Sequence, residues 1–213
     1  MVAMRQRAPK RPAAERKRLI IESAQSVFAA SGYANAGTDE VARGAGVAPS
    51  AIYRYFPSKR HLYLATLRDA GPRLVALWRE AAGRAGDPLE TIWEIGLQYY
   101  DHVNTRSPFT HLWFTALGDT SDPEVQSIMA SSYLAMIGVI TGLLEDGQQR
   151  GLVRTDVDPR TAAWHFMSIG ATFDLVHQLG LDSELDRPRV EAWGRLYIES
   201  LRKAPHGTAA ASL

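Results

Sequence analysis

Apolar residues along this chain recur at three- and four-residue steps far more often than they alternate, so nearly every long segment reads as an amphipathic helix. The first predicted helix covers 13–31, where Leu19, Ile20, Ala24, Val27 and Phe28 share one face and Gly32 supplies a left-handed stop. Two short helices follow at 38–45 and 49–56, and Ser58 caps a longer one over 59–77 or beyond. Past the glycine-containing stretch 83–86, one punctuation repeats: a proline, often preceded by Asp, then a periodic apolar run. Pro88, Pro108, Pro123, Pro159 and Pro188 thereby open helices reaching 105, 117, 150, 179 and 203. Alternating runs joined by hairpin turns are missing. The pattern predicts an all-α protein of nine helices.

Composition adds little until charge is divided along the chain. The 24 basic and 23 acidic residues nearly cancel. Yet 1–73 holds 13 Lys and Arg against 5 acidic residues, while 74–213 holds 11 against 18. A basic N-terminal third on an acidic remainder is what a nucleic-acid-binding module joined to a partner domain looks like. Part of that bias sits in 1–12, and without it the N-terminal part still carries a formal +4. Cysteine is absent, which excludes disulfides, thiolate nucleophiles and Cys-ligated zinc. Uninterrupted apolar runs stay well short of the ~18 residues of a membrane span, and 1–12 lacks the apolar core of a signal peptide. A cytoplasmic protein without a membrane partner is expected.

The informative stretch is 38–55. Two helices of about eight residues joined by a glycine-containing turn form a helix-turn-helix. Ala42 is small where the second helix crosses, and Gly46 sits where the turn needs a positive φ. Val41, Ala45, Val47 and Ile52 face inward. Ala48, Pro49, Ser50, Tyr53 and Arg54 are left on the outer face, the face that meets base edges when such a helix enters the major groove. Arg54 can grip guanine with two hydrogen bonds, whereas Ala48, Pro49 and Ala51 offer apolar contact. Tyr53, Tyr55 and Lys59 suit phosphates, and Thr38 suits both a helix cap and a phosphate.

These residues also carry a resemblance. Phe28-Ala-Ala-Ser-Gly32-Tyr33, Val41-Ala42-Arg-Gly-Ala45-Gly46-Val47 and Ile52-Tyr53-Arg54-Tyr55-Phe56-Pro-Ser58-Lys59 with Leu62 resemble the DNA-binding domain of the TetR family over 13–67. The resemblance implies a dimeric bacterial transcription regulator of about nine helices. It is usually a repressor, released from a near-palindromic operator by a small molecule bound in the C-terminal domain. The chain departs from the family in having Ala36-Gly37 where Thr or Ser is frequent, and Ala48 where the recognition helix usually starts with Ser. The expected organisation is a basic flexible arm at 1–12, a three-helix DNA-binding domain at 13–60 with 59–77 connecting, a ligand-binding and dimerisation domain at 78–203, and a flexible tail at 204–213.

The acidic remainder is rich in aromatic residues and methionine at helical spacing, most of which must be core. Tyr99, His102, Trp113, Tyr133, Met136, Met167 and Thr172 are the candidates for a ligand site. No Arg or Lys stands out as buried in these helices, which favours a neutral or cationic apolar ligand. Ser168, Gly170 and Ala171 permit close helix approach, and Val190, Trp193, Tyr197 and Leu201 form an apolar stripe. Together they are the candidate dimer surface.

Phosphate-binding, dinucleotide-binding, esterase and zinc-protease signatures are absent. Asp174 with His177, and Asp101 with His102, are half-sites without a third ligand, so neither a catalytic residue, a metal nor a cofactor is expected. Two further readings are a helical ligand-binding protein and a nonspecific DNA binder, whose basic arm would track the minor groove.

Overall fold

Five of the nine described helices begin where a side chain satisfies a free backbone N–H. In the computed structural model, which describes residues 12–204 except 85 and 106, nine α-helices and one 3₁₀ turn run in order. They are α1 (Ala13–Asn35), α2 (Thr38–Ala45), α3 (Pro49–Tyr55), α4 (Lys59–Ala82), α5 (Pro88–Asn104), α6 (Pro108–Leu117), α7 (Pro123–Gln149), α8 (Pro159–Gln178) and α9 (Arg187–Leu201), the 3₁₀ turn Asp182–Leu185 preceding α9. Asp87, Asp122 and Asp158 each accept a hydrogen bond from the first turn of α5, α7 and α8, and Ser58 does so for α4. The Asp-Pro punctuation is therefore a set of capped starts. The expected arm and tail lie outside the described residues, Pro12 and Ala204 aside.

Two boundaries differ from expectation, and the open end of the fourth helix is fixed. Gly32 takes φ +68° as anticipated, but a further turn of helix resumes beyond it to Asn35. The fourth helix runs on to Ala82 through Pro72, whose missing N–H removes one internal hydrogen bond. Asp186 caps α9 one residue early, and α9 ends at Leu201 because Arg202 turns extended to pair with Val153 in an isolated antiparallel bridge.

α1 packs across α2, α4 and α6; α4 lies along α7; and α7 is flanked by α5 and α8. One apolar core runs through both ends of the molecule, from Ile20, Phe28, Ile52 and Leu62 to Ile92, Leu112, Ile137 and Ile140, all fully buried. Each such side chain contributes roughly 1.5–3 kcal/mol of transfer free energy. α7 is long and apolar enough to cross a membrane, with a mean hydropathy of 1.7 over its most apolar window. Here it is the central core helix, with Val125, Met129, Ser132, Met136, Ile140 and Leu144 buried along one side.

Candidate DNA interface and ligand cavity

The helix-turn-helix is fixed by two glycines with different tasks. Gly46 adopts φ +63° and donates its N–H to the carbonyls of Ala42 and Arg43, closing α2 with a left-handed cap that other residues adopt only at a cost. Gly44 lies against α1 so closely that a Cβ would strike the hydroxyl of Ser23. That hydroxyl donates to the carbonyl of Val41 at 2.9 Å and ties α1 to α2. Val41, Ala42, Ala45 and Ile52 are buried, as the pattern required, and Val47 is half-buried. The close approach at Gly44 was not anticipated; its sequence signal is only a second glycine two residues before the turn.

On the outer side of α3, Ala48, Pro49, Ser50, Tyr53 and Arg54 are exposed. Ala51 is not: it is buried beside Ile52, so it is unavailable for the thymine contact expected of it. Three other expectations are modified. Thr38 is the first residue of α2 and gives no side-chain cap, which falls to the position of Gly37; its hydroxyl instead shares a 3.1 Å hydrogen bond with that of Tyr53. Tyr55 is half-buried and packs on the core. Lys59 reaches back to the carbonyl of Ala34 at 2.9 Å and lies over the ring of Tyr33, which locks the start of α4 onto the end of α1. Lys59 thus has a structural partner, with its remaining N–H donors open to solvent. Arg54 has no hydrogen bond to any described residue.

A cavity of about 660 Å³ lies within the C-terminal helices, walled by α4 to α9. Its wall is apolar and aromatic, including Trp78, Trp93, Trp113, Phe114, Trp164 and Phe166. Five expected ligand residues stand on it: Tyr99, Trp113, Tyr133, Met136 and Met167. Two do not. His102 is exposed with its Nδ1 2.6 Å from the carbonyl of Gln98, and Thr172 donates to the carbonyl of Ser168, its side of α8 turned away from the cavity. Thr172 lies one residue from the wall positions Ala171 and Phe173, where the helical step rotates the side chain to another face, whereas His102 lies three residues past Tyr99, the last wall position of α5.

Behind the wall, the Tyr99 hydroxyl donates to Asp174 at 2.7 Å. Asp174 is 4% exposed, and burial pushes its carboxyl up to about 7, against the lowering effect of the Tyr99 hydrogen bond. Burial and the same carboxylate raise Tyr99, and likewise Tyr133. Sequence reasoning paired Asp174 with His177; the structure instead gives His177 to Asp182 at 2.8 Å, and Asp101 to Arg187 at 2.6 Å. Neither half-site is assembled, and no group of three potential metal ligands occurs among the described residues.

The expected dimer surface divides. Ser168 and Ala171 are exposed on α8. Val190, Trp193 and Tyr197 face their own chain: Val190 and Tyr197 line the cavity, Trp193 packs edge-on to Phe173, and the Tyr197 hydroxyl donates to the carbonyl of Ala162 at 2.8 Å. The apolar stripe of α9 is thus an intramolecular one. The opposite side of α9 exposes Leu196, at 71%. Beside Ser168 and Ala171, α8 exposes Trp164, Leu175 and, just past its end, Leu179.

From the rim of the cavity a set of polar contacts leads to α4. Thr120 lines the cavity in the α6–α7 turn. One residue away, Asp119 accepts from the Tyr63 hydroxyl at 2.6 Å, while Asp122 and Glu124 hold Arg60, and Glu124 also pairs with Arg68.

Residues 20–66 match the family model described as bacterial regulatory proteins, tetR family. The transcriptional activator FasR of Mycolicibacterium smegmatis is 33% identical over 103 residues, which cover 48% of this chain and 47% of FasR, so the chain spans about half the length of that relative. The repressor KstR of the same organism is 33% identical over 78 residues, 37% of this chain and 38% of KstR. Among solved structures, a TetR transcriptional regulator from Chloroflexus aurantiacus superposes with a TM-score of 0.77 at 20% identity, over 90% of this chain and 98% of its own. A protein described under control of antibiotic production by bacterial hormones superposes at 0.68 with 26% identity, over 91% of this chain and 100% of its own.

Proposed function

We propose that this chain, whose residues 20–66 match the model of bacterial regulatory proteins of the tetR family, is a homodimeric, operator-binding transcriptional repressor that a small apolar molecule releases from DNA. It acts in the bacterial cytoplasm and carries no catalysis of its own. α3 enters the major groove with Arg54 reading a base edge, Pro49 offering apolar contact, and Ser50, Tyr53 and Thr38 positioning the backbone. The region 13–60 serves as the DNA-binding domain and 78–203 as the effector and dimerisation domain.

One observation carries this reading: α4 is a single helix with one end at the recognition unit and the other in the cavity wall. Its first residue is tied to the end of α1, and its Leu74 and Trp78 face the cavity. Displacement of α4 by an occupant moves the recognition helices of a dimer out of register with successive grooves. The dimer forms through the outward sides of α8 and α9, where Leu175 and Leu196 leave apolar surface uncovered beside the small Ser168, with Trp164 and Ala171, which also line the cavity, exposed next to them. A two-fold arrangement places two α3 helices one DNA turn apart, or a multiple of it, and so demands a near-palindromic site.

The test is selection of bound sequences from random duplex DNA, followed by affinity measurement on the enriched site and a shuffled control at about 0.15 M salt. A palindromic site preferred by roughly a thousandfold supports the proposal. Equal, steeply salt-dependent affinity for both duplexes sinks operator specificity. A reporter carrying the enriched site then distinguishes repression from activation.

A further inference from the structure

The cavity wall is one-sided in its chemistry. Among the described residues that line it there is no Lys, Arg, His, Asp or Glu, and apart from tyrosine and the tryptophan indoles its polar side chains are Thr120 and Gln126. An anionic ligand brought there would lose its hydration without gaining a cation. A charged group of the opposite sign does stand close by. Asp174, buried on α8, is one hydrogen bond behind Tyr99. Because the Tyr99 proton is directed at Asp174, the Tyr99 oxygen has only lone pairs to offer a third group. That arrangement receives an N–H and repels a carboxylate. The aromatic faces of Trp113, Tyr133 and Phe166 add surfaces on which a cation is favoured over an anion.

We propose that the cavity takes an apolar molecule bearing a protonated amine, whose head seats against Tyr99 with Asp174 as its counter-charge. The proposal rests on the cavity being the effector site and names the class of effector. Asp174 has no cationic partner among the described residues, and burial pushes its carboxyl up to about 7. An ammonium at Tyr99 supplies the missing charge and completes the chain of hydrogen bonds from ligand to tyrosine to carboxylate. Tyr133 on α7 feels the same carboxylate and faces the cavity from the opposite helix, while His111 on α6 and His177 on α8 share with Asp174 the small hollow behind Phe114.

The experiment uses the full chain at pH 8 and the neutral fluorophore N-phenyl-1-naphthylamine as a reporter of the cavity. Displacement is titrated with dodecylamine, dodecanol and dodecanoate, each below its micellar concentration. Dodecylamine is expected to compete at least roughly tenfold more tightly than either other ligand, a difference of one charge-assisted hydrogen bond. Asp174→Asn is expected to bring amine and alcohol within about threefold of each other, each measured against that variant's own fluorophore affinity. Tyr99→Phe serves as the second variant, with the same expected loss of preference, should Asp174→Asn fail to give a native circular-dichroism spectrum. Dodecanoate binding as tightly as dodecylamine, or an amine preference that survives both substitutions, overturns the proposal and leaves the cavity as an effector site of another class. Failure of the wild-type protein to take up the fluorophore or any of the three ligands removes the cavity reading itself, and the proposal with it.

Discussion

Arg60, in the first turn of α4, grips Asp122, the N-cap of α7, through two parallel hydrogen bonds of 2.9 and 3.0 Å. The same carboxylate accepts from the N–H of Glu124, so one side chain starts α7 and fastens α4 to it. Asp122 is held below the usual carboxylate range, by Arg60 first and then by that backbone bond. The pair is open to solvent, so its contribution to global stability is small. Its position, two residues from cavity-lining Thr120, makes it a link between the cavity rim and the recognition unit. Arg60→Ala is expected to leave cavity affinity and melting temperature nearly unchanged and to shrink the factor by which an occupant weakens DNA binding. By linkage the same factor must shrink when DNA is titrated first. Measured coupling equal to wild type would place transmission elsewhere along α4.

Arg54 has the only guanidinium on the exposed side of α3, with no hydrogen bond to any described residue. Arg54→Ala is expected to cost about 1–3 kcal/mol on the selected site and to relax preference at one base pair per half-site. Competition binding against single-base variants of that site checks it. A uniform loss on every duplex, with a flatter salt dependence, would reassign Arg54 to a phosphate.

The helices were legible because their periodicity and Asp-Pro starts are local, and local signals survive without knowledge of the fold. The outer face of α3 was nearly as legible, since a short helix pinned by Gly46 has few ways to orient; Ala51 was misplaced by one step around it. The dimer stripe was not. Val190, Trp193 and Tyr197 mark an apolar face, but periodicity cannot say whether a cavity in the same chain or a second chain covers that face. Asp174 illustrates the same limit: its partner Tyr99 is 75 residues away, whereas the sequence offered only His177, one turn along its own helix. Pairing across helices is a tertiary fact.

Gly44 tests how tightly the helix-turn-helix is clamped to α1. Gly44→Ala places a methyl against the Ser23 hydroxyl and is expected to destabilise by about 1–3 kcal/mol through overpacking. Ser23→Ala alone loses the bond to the Val41 carbonyl, about 1 kcal/mol. Because removing that hydroxyl also clears the space, the double variant is expected to be less destabilised than the sum of the two. Urea unfolding of the four proteins decides; strict additivity would mean that α1 and α2 yield without strain.

Asp174 makes stability depend on pH in a direction opposite to that of most carboxylates. Burial raises its folded carboxyl from an ordinary value near 3.8 to about 7, so between those values the folded chain binds a proton that the unfolded chain has released. The contribution is fully present below the unfolded value and is lost as pH rises through about 7. Asp174→Asn keeps an acceptor for Tyr99 and removes the titration. Its stability relative to wild type is therefore expected to climb between pH 5 and pH 8, by roughly 2.5 kcal/mol for a shift of this size, since part of the effect already falls below pH 5. Tyr99, Tyr133, His111 and His177 surround the site in both proteins, so the difference between the two unfolding curves isolates Asp174 together with its coupling to them. A difference that stays flat across this range would mean that Asp174 is ionised in the folded protein at pH 5, with water or a neighbouring histidine offsetting its burial.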